Sequence, residues 1–586
     1  MTDGPEPDTR DPQVLVVGAG PVGLTVAHEL ARRGVRVHLI DAAAGPAPTS
    51  RAVATHARTL EIYDQMSVLG AMVEHGRRMQ AFSMHRNGSQ LVRLGAEYRA
   101  TPTRFPFTLL LEQAGTERVL REAVAQRGVT VHWGTRLQTL EQHSDGVEAV
   151  LQLPDGTSTR LRVPWLVGCD GGHSTVRSLL KLPLTGDSTE TWLIADAEVD
   201  MNVPQDSIHW IHVEGGTVMA VPFASPGKWR LLDTTVETDS GRPDQVAERF
   251  SRKLTKGLGT HAAVKTPAWV SVFTIQQRMI QTMRVNRCFV AGDAAHVHSP
   301  ASGQGLNTGI QEAFNLAWKL AMAIHGHAHD ALLDSYSAER VPIGRDLLET
   351  TRTATRLVAL KSVIAAAAMP VVFAVVRCVP AIRRKIEGKV IGRMSALLIS
   401  YPDSPLTQPS HARPPVGPAP GERVTAVSAA TANGDPGWTA FARQLEDPRW
   451  TLLAFTDRTG AQTPTSTWLQ DLADLNRGWL SVRVVAPSAP IRRGAPSSYE
   501  TLAAALQLAD QTPMPLAGPL VVHADAPSLA GDALPDPYRA LADGLGIRGQ
   551  GWLLIRPDAY LAARGDRLDA ASVHAALAAL PLTSAP

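Results

Sequence analysis

Two kinds of apolar pattern divide this chain. Val14 to Val17 is a short unbroken run of largely β-branched residues, which predicts a strand buried in a parallel sheet; a helix follows that Gly34 stops, and Val35 to Ile40 form the second strand. From Thr191 to about Gln277 the pattern changes to successive strand-like runs: TWLIADAEV, SIHWIHV, GTVMAVPF, WRLLDTTV and WVSVFTI. These predict an antiparallel sheet inserted between parts of the first domain, its face a wall for a flat ligand. Val129 to Trp133, Val147 to Leu153 and Arg160 to Val167 also read as strands, with Pro154-Asp155-Gly156 as a hairpin turn.

Other segments read as helix. Leu109 to Gln113 looks like a strand end leading into a helix over Gly115 to Arg121. Arg51 precedes a helix carrying Leu60, Ile62, Met66 and Leu69. Arg287 to Gly292 reads as a buried strand, a long amphipathic helix is expected from about Ile310 to Ala323, and helical segments continue to about Leu398. The Pro-rich stretch 407–423 reads as a linker or domain edge. After it, Trp450 to Phe455, Trp479 to Val485, Leu520 to His523 and Gly551 to Ile555 predict a compact α/β unit. The apolar run Ser362 to Val376 is broken by Pro370 and falls short of the ~20 residues of a membrane span. Peripheral membrane contact through 362–393 stays open as the lesser reading.

The chemistry concentrates where strands meet glycines. Val14 to Val17 run into Gly18-Ala19-Gly20-Pro21-Val22-Gly23. Gly18 allows a tight turn, Gly20 a close approach of backbone amides to a pyrophosphate, and Gly23 close packing of helix on strand. The helix start offers N–H groups and a positive dipole end to phosphate, and Asp41, ending the next strand, can accept bonds from a ribose. The motif alone does not separate FAD from NAD. Downstream, Gly292 and Asp293 end a buried strand, and Gly303, Gly305 and Gly309 bring backbone near a planar ligand at a helix start by Leu306 or Asn307. No second dinucleotide fingerprint is seen, since GIRGQG at 546–551 has the wrong spacing.

Composition narrows the partners. Lys+Arg 57 against Asp+Glu 55 gives +2, so nucleic acid is not indicated. Cys169, Cys288 and Cys378 form no CxxC pair, which argues for a reducing compartment, cytoplasmic, and against a zinc or dithiol centre. At 586 residues the chain has room for three or four domains.

GAGPVG with Asp41, the stretch CDGGHSTVR, and AGDAAHVHSPASGQGLNTGIQEAFNLAWKLA together resemble the FAD-dependent aromatic hydroxylases, the para-hydroxybenzoate hydroxylase-like flavoprotein monooxygenases. The C-terminal extension brings the resemblance nearest to their phenol and polyketide hydroxylase branch. Together with the patterns above, it points to an α/β fold: a flexible tail over 1–12, a Rossmann-like FAD-binding domain over 13–190 and, with a helical segment, over 281–400, an inserted substrate sheet over 191–280, a linker over 401–423, and, from its strand pattern, a thioredoxin-like domain without redox cysteines over 424–586. It implies that Gly18, Gly20, Pro21, Val22 and Gly23 line the FAD pyrophosphate and that Asp41, where the family more often has Glu, holds the ribose. Arg51 and Gln113 match positions at the flavin and the phosphate-ribityl chain, and Asp170 and Gly171 match a motif used for both FAD and NAD(P)H. Gly292 and Asp293 match the ribityl ligands, Pro300 the flavin face, and Gly303, Gly305, Leu306 and Asn307 the isoalloxazine edge. Arg177 is expected to tie its loop by ion pairing. His296 stands as structural or catalytic, Trp210 and His212 either face the substrate or, as the favoured reading, pack within the sheet, and no catalytic base is assigned.

The implied reaction is NAD(P)H reduction of FAD, addition of O2 to give a C4a-hydroperoxyflavin, and transfer of oxygen to an aromatic ring. Baeyer–Villiger insertion, epoxidation, drug inactivation, a non-oxygenase flavoprotein and a membrane-associated quinone-directed oxidase remain alternatives. A homodimer is a possible assembly.

Overall fold

The computed structural model describes residues 11–47, 52–95, 101–213, 215–235, 241–298, 303–359, 379, 388, 391–409, 414–456, 464–486, 534–536 and 539–583. The expected strand at Leu520 to His523, the apolar run 362–376, Arg51, Pro300 and Cys378 lie outside them.

The first apolar run forms the fully buried strand Val14–Val17, at the centre of a six-stranded sheet. It pairs in parallel with Val37–Ile40 on one side and Trp165–Gly168 on the other, which in turn pairs in parallel with Cys288–Val290. The register puts Val17 level with Ile40 and Gly168, and Gly168 level with Val290. Four loops therefore leave the same edge side by side, the place where open α/β sheets take ligands. Two helices cover this edge: Pro21–Arg32, with proline at its first position where no N–H is needed, and Gly305–Ile324.

The strand expected over Arg160 to Val167 is two strands in different sheets. Pro164 separates Ser158–Val163, part of a three-stranded antiparallel sheet, from Trp165–Gly168 in the parallel one. A proline lacks the N–H that a continuing ladder would use.

The inserted sheet is larger than its sequence pattern. It has nine strands and takes in Ala81–Arg86 and Ser89–Leu94, while its long strand Thr185–Met201 starts before Thr191. Strict alternation splits its two faces. Leu193, Ala195, Ile211, Val218, Ala220 and Leu231 pack against Val246, Phe250 and Leu254 of the Pro243–Leu258 helix. The other face carries Trp192, Ile194, Ile208, Met219, Val221 and Leu232, packed with Phe82, Val53, Ala54 and Leu110. The Ala54 carbonyl accepts from Asn307, in the first turn of the Gly305–Ile324 helix, and so links this face to the loop edge of the parallel sheet.

The C-terminal unit is a five-stranded sheet. Trp450–Phe455 pairs in parallel with Leu480–Ala486 and antiparallel with Trp552–Ile555, and Leu561–Gly565 lies antiparallel beyond. Trp450 meets Trp318 of the Gly305–Ile324 helix edge to face, with centroids 5.6 Å apart. Arg423, at the end of the Pro-rich stretch, is buried and bonds to Glu61 Oε1 at 2.9 Å and to the Leu397 carbonyl, so the chain there is packed against the first domain. No described helix is long and apolar enough to cross a membrane.

Candidate active site

Gly18 turns with φ +103, and a Cβ there would stand 2.4 Å from the Cys169 carbonyl oxygen; one on Gly23 would stand 1.8 Å from the Gly18 carbonyl oxygen. These two positions exclude side chains for the sake of the protein's own packing. Gly20 differs: a Cβ there meets nothing within 4 Å, and its backbone is extended. The space beside Gly20 opens onto the first turn of the Pro21–Arg32 helix, where the Val22 and Gly23 N–H groups have no acceptor within the helix. Glycine at this point leaves open space at the helix start, whose amides could hold a pyrophosphate. Val22 also packs on the second glycine loop, because a Cβ at Gly292 or Gly309 would lie 2.9 or 2.6 Å from its Cγ2.

Asp41 is half-buried; its Oδ2 accepts the Ala19 N–H at 2.7 Å and its Oδ1 the Ala43 N–H at 2.8 Å. It thus joins the end of the Val37–Ile40 strand to the first glycine turn, with lone pairs left for a sugar hydroxyl.

Asp170 has a more local task. Its carboxylate accepts the Ser174 hydroxyl and the Thr175 and Val176 N–H groups, capping the short Thr175–Leu179 helix. Burial raises its pKa from the ordinary aspartate value. Gly171, beside it, has φ +76 and faces open space. Arg177 does tie the loops, though not by the expected ion pair: it donates to the Ala294 carbonyl at 3.1 Å and the Gly172 carbonyl at 2.9 Å. Backbone carbonyls in these turns supply the acceptors that the sequence suggested a carboxylate would.

Asp293 is exposed at the edge, whereas its neighbour Gly292 donates its N–H to Glu312 Oε2 at 2.9 Å. Glu312 also takes His296 Nε2 on its other oxygen at 2.7 Å. Burial disfavours a charged His296, but the charge and hydrogen bond of Glu312 outweigh it and raise the His296 pKa. This makes His296 a structural clamp on the Gly292–Asp293 turn. His298, two residues on, is pushed down to about 3 by burial and by His296, and stays neutral.

The Gly305–Ile324 helix begins earlier than Ile310, with Gly305, Leu306 and Asn307 in its first turn. Asn307 is buried and its amide is fully engaged by protein: Oδ1 accepts the His56 N–H at 2.8 Å, and Nδ2 donates to the Ala54 and Gly303 carbonyls at 2.9 and 2.8 Å. Its side chain holds the sheet face against the helix start, leaving backbone amides there for a ligand. Gln113 is likewise committed, accepting the Ala52 N–H at 3.1 Å and donating to Glu117 at 2.9 Å. It is the first residue of the Gln113–Gln126 helix.

Sequence reasoning missed Glu312. The signal was present: Glu312, Asn315 and Lys319 are polar residues at helical spacing in a helix whose other positions are mostly apolar, and all three are buried. Such a stripe must find internal partners.

Residues 11–351 match the FAD binding domain family. The chain is 46% identical over 576 residues to 6-methylpretetramide 4-monooxygenase of Streptomyces rimosus, covering 98% of this chain and 95% of that protein. Among solved structures, the anhydrotetracycline hydroxylase of Streptomyces rimosus superposes with a TM-score of 0.67 at 25% identity, over 98% of this chain and 99% of its own. Aklavinone-11 hydroxylase, solved with FAD and aklavinone, superposes with a TM-score of 0.71 over 98% of this chain and 99% of its own; at 22% identity that likeness speaks for the fold alone.

Proposed function

This chain belongs to the FAD binding domain family and is an FAD-dependent aromatic monooxygenase, and on that premise we propose that it hydroxylates a fused-ring aromatic polyketide, with NAD(P)H as electron donor. Support for the substrate class comes from the relatives, which are named for acting on 6-methylpretetramide and anhydrotetracycline. The single observation that carries the reading is the alignment of four glycine-bearing loops along one sheet edge, joined through Ala54 to a broad apolar sheet face.

Gly18, Gly20, Pro21, Val22 and Gly23 would receive the pyrophosphate, Asp41 the ribose, and Gly292 with Asp293 the ribityl hydroxyls. Gly303, Gly305, Leu306 and Asn307 would offer backbone amides and the positive helix end to the pyrimidine side of the flavin. Asp170 and Gln113 act by shaping their loops, and Gly171 borders open space beside them. Arg51 and Pro300 are assigned on the family resemblance. Bound FAD, once reduced, supplies the chemistry that activates O2 and delivers one oxygen atom to the ring. The chain's part is to seat the cofactor, hold the ring against it and exclude water. For the C-terminal unit we infer a thioredoxin-like fold from its strand order, with a role in packing or in subunit contact within a homodimer.

The test is a spectrum of the purified protein followed by NAD(P)H oxidation with and without fused-ring phenols. Flavin absorbance, substrate-stimulated oxidation and a product heavier by one oxygen support the reading. A flavoprotein whose oxidation no arene stimulates would contradict it.

A further inference from the structure

Resting on the monooxygenase reading, we propose that Trp210 and His212 form a polar rail on the apolar sheet face that recognises the oxygenated edge of a fused-ring substrate. Both belong to the Ser207–Val213 strand, whose alternation puts Ile208, Trp210 and His212 on the face that also bears Met219 and Val221. Trp210 packs beside Phe82, with centroids 6.5 Å apart.

Each residue carries one buried atom without a hydrogen-bond partner: the indole Nε1 of Trp210 and the Nε2 of His212. His212 is only 5% exposed. Its Nδ1 is 2.9 Å from the Thr217 hydroxyl of the neighbouring strand, which fixes the ring so that Nε2 is the atom left over. Burial, helped by the charge of Arg86, pushes its pKa down to about 4, so the ring is neutral at pH 7. If Thr217 donates to Nδ1, Nε2 carries the proton; if it accepts, Nε2 is the acceptor. The site can therefore meet either a carbonyl or a hydroxyl, while Trp210 can only donate.

A buried donor or acceptor left unpaired is costly and rare in native proteins, so each such group calls for a partner. The charged pair on the same face behaves differently. Arg230 and Asp196 satisfy one another through two bonds of 2.8 Å, so that pair does not ask for a ligand. The rest of the face, with Trp192, Ile194, Met219, Val221 and Phe223, is apolar and suited to a flat ring system. Residues i and i+2 of one strand have their Cα atoms about 7 Å apart along it and point to the same face, so Trp210 and His212 line one direction along the sheet.

Trp210→Phe retains the ring and deletes the N–H. His212→Asn retains a group to pair with Thr217 and deletes Nε2. The probes are 1,8-dihydroxynaphthalene and naphthalene, titrated anaerobically into the FAD-loaded proteins and followed by flavin absorbance. Each variant is expected to lose roughly 3- to 10-fold in affinity for the diol, the worth of one hydrogen bond, while naphthalene binding changes by less than about twofold. FAD content and unfolding midpoint should stay as in the wild type. Equal loss for both probes, no loss for the diol, or no diol binding by the wild type would each overturn the proposal. A wild type that shows the diol preference yet oxygenates no arene would instead contradict the monooxygenase reading and leave the rail standing.

Discussion

The Gly305–Ile324 helix is held on two sides by opposite means. Toward the Pro21–Arg32 helix it offers Gly309, which with Gly292 closes around Val22 so tightly that neither could carry a Cβ. Toward the C-terminal unit it offers Asn315 and Lys319. Lys319 Nζ lies 2.7 Å from Glu339, whose two oxygens also take Arg556 at 2.6 and 2.9 Å, and Asn315 bonds both Glu339 and Asp558. The first seam tolerates no addition and the second no deletion. A cofactor edge is best built from absent side chains because the ligand needs backbone, whereas the domain seam consists of charges that have already left water and depend on one another.

The largest expected effect comes from breaking the charged seam. Glu339→Ala leaves Lys319 and Arg556 buried with no carboxylate between them and should cost about 3–5 kcal/mol, read as a drop in the urea midpoint. Arg556 would keep Asp558 at 2.7 Å, so Lys319 is the group most exposed to the loss. On the glycine seam, Gly309→Ala forces a Cβ against Val22 and the Gly292 backbone and should cost about 1–3 kcal/mol by overpacking.

Acid acts on the buried histidines before it reaches the charged seam. Burial pushes His298 down to about 3 and His38, His85 and His212 down to about 4, while unfolded histidine takes its proton near 6.5. The unfolded chain thus binds more protons between pH 6.5 and 4, and stability falls as pH is lowered through that window. His296, raised by Glu312, works the other way: its contribution is complete below 6.5 and is lost as pH rises through its higher folded value. Burial raises the Glu339 pKa, but Arg556 and Lys319 together hold it well below the usual carboxylate range, so its contribution is present above about 4.5 and is lost only as pH falls further. A urea series from pH 7 to 3 should show both limbs, with the upper one reduced in His298→Gln.

The smallest effects act as controls. Gly20→Ala should shift the unfolding midpoint of the FAD-free protein by under about 1 kcal/mol, since the backbone is extended and the space open, while weakening FAD binding by roughly tenfold or more. Equal weakening of stability and of FAD binding would show that Gly20 serves packing and not a ligand. Lys265→Gln, which breaks an exposed pair with Glu198, should leave the midpoint unmoved.

The two seams also differ in how far the sequence announced them. Glycine spacing is a local signal: Gly18, Gly20 and Gly23 sit close together in sequence, and the strand that leads into them, Val14 to Val17, is a continuous apolar run. The charged seam is assembled from Arg58, Glu61, Lys319, Glu339, Arg423, Arg556 and Asp558, which only the tertiary fold brings together. The same reason explains the residues whose tasks changed. Asn307 and Gln113 sit at the expected junctions, in the first turns of their helices, but Ala54, His56 and Ala52, distant in sequence, take up their amides. The hairpin over residues 81–94 joins the inserted sheet through a partner strand, Ser207–Val213, more than a hundred residues away, which no local pattern announces.

The most direct test of the account is the fate of molecular oxygen. Purified protein, NADPH and a fused-ring polyketide phenol under 18O2 should give a product carrying one 18O atom on the ring, with the second recovered in water. Consumption of NADPH with all of the label in hydrogen peroxide, and an unchanged arene, would show that this cofactor edge serves oxidation without oxygen transfer.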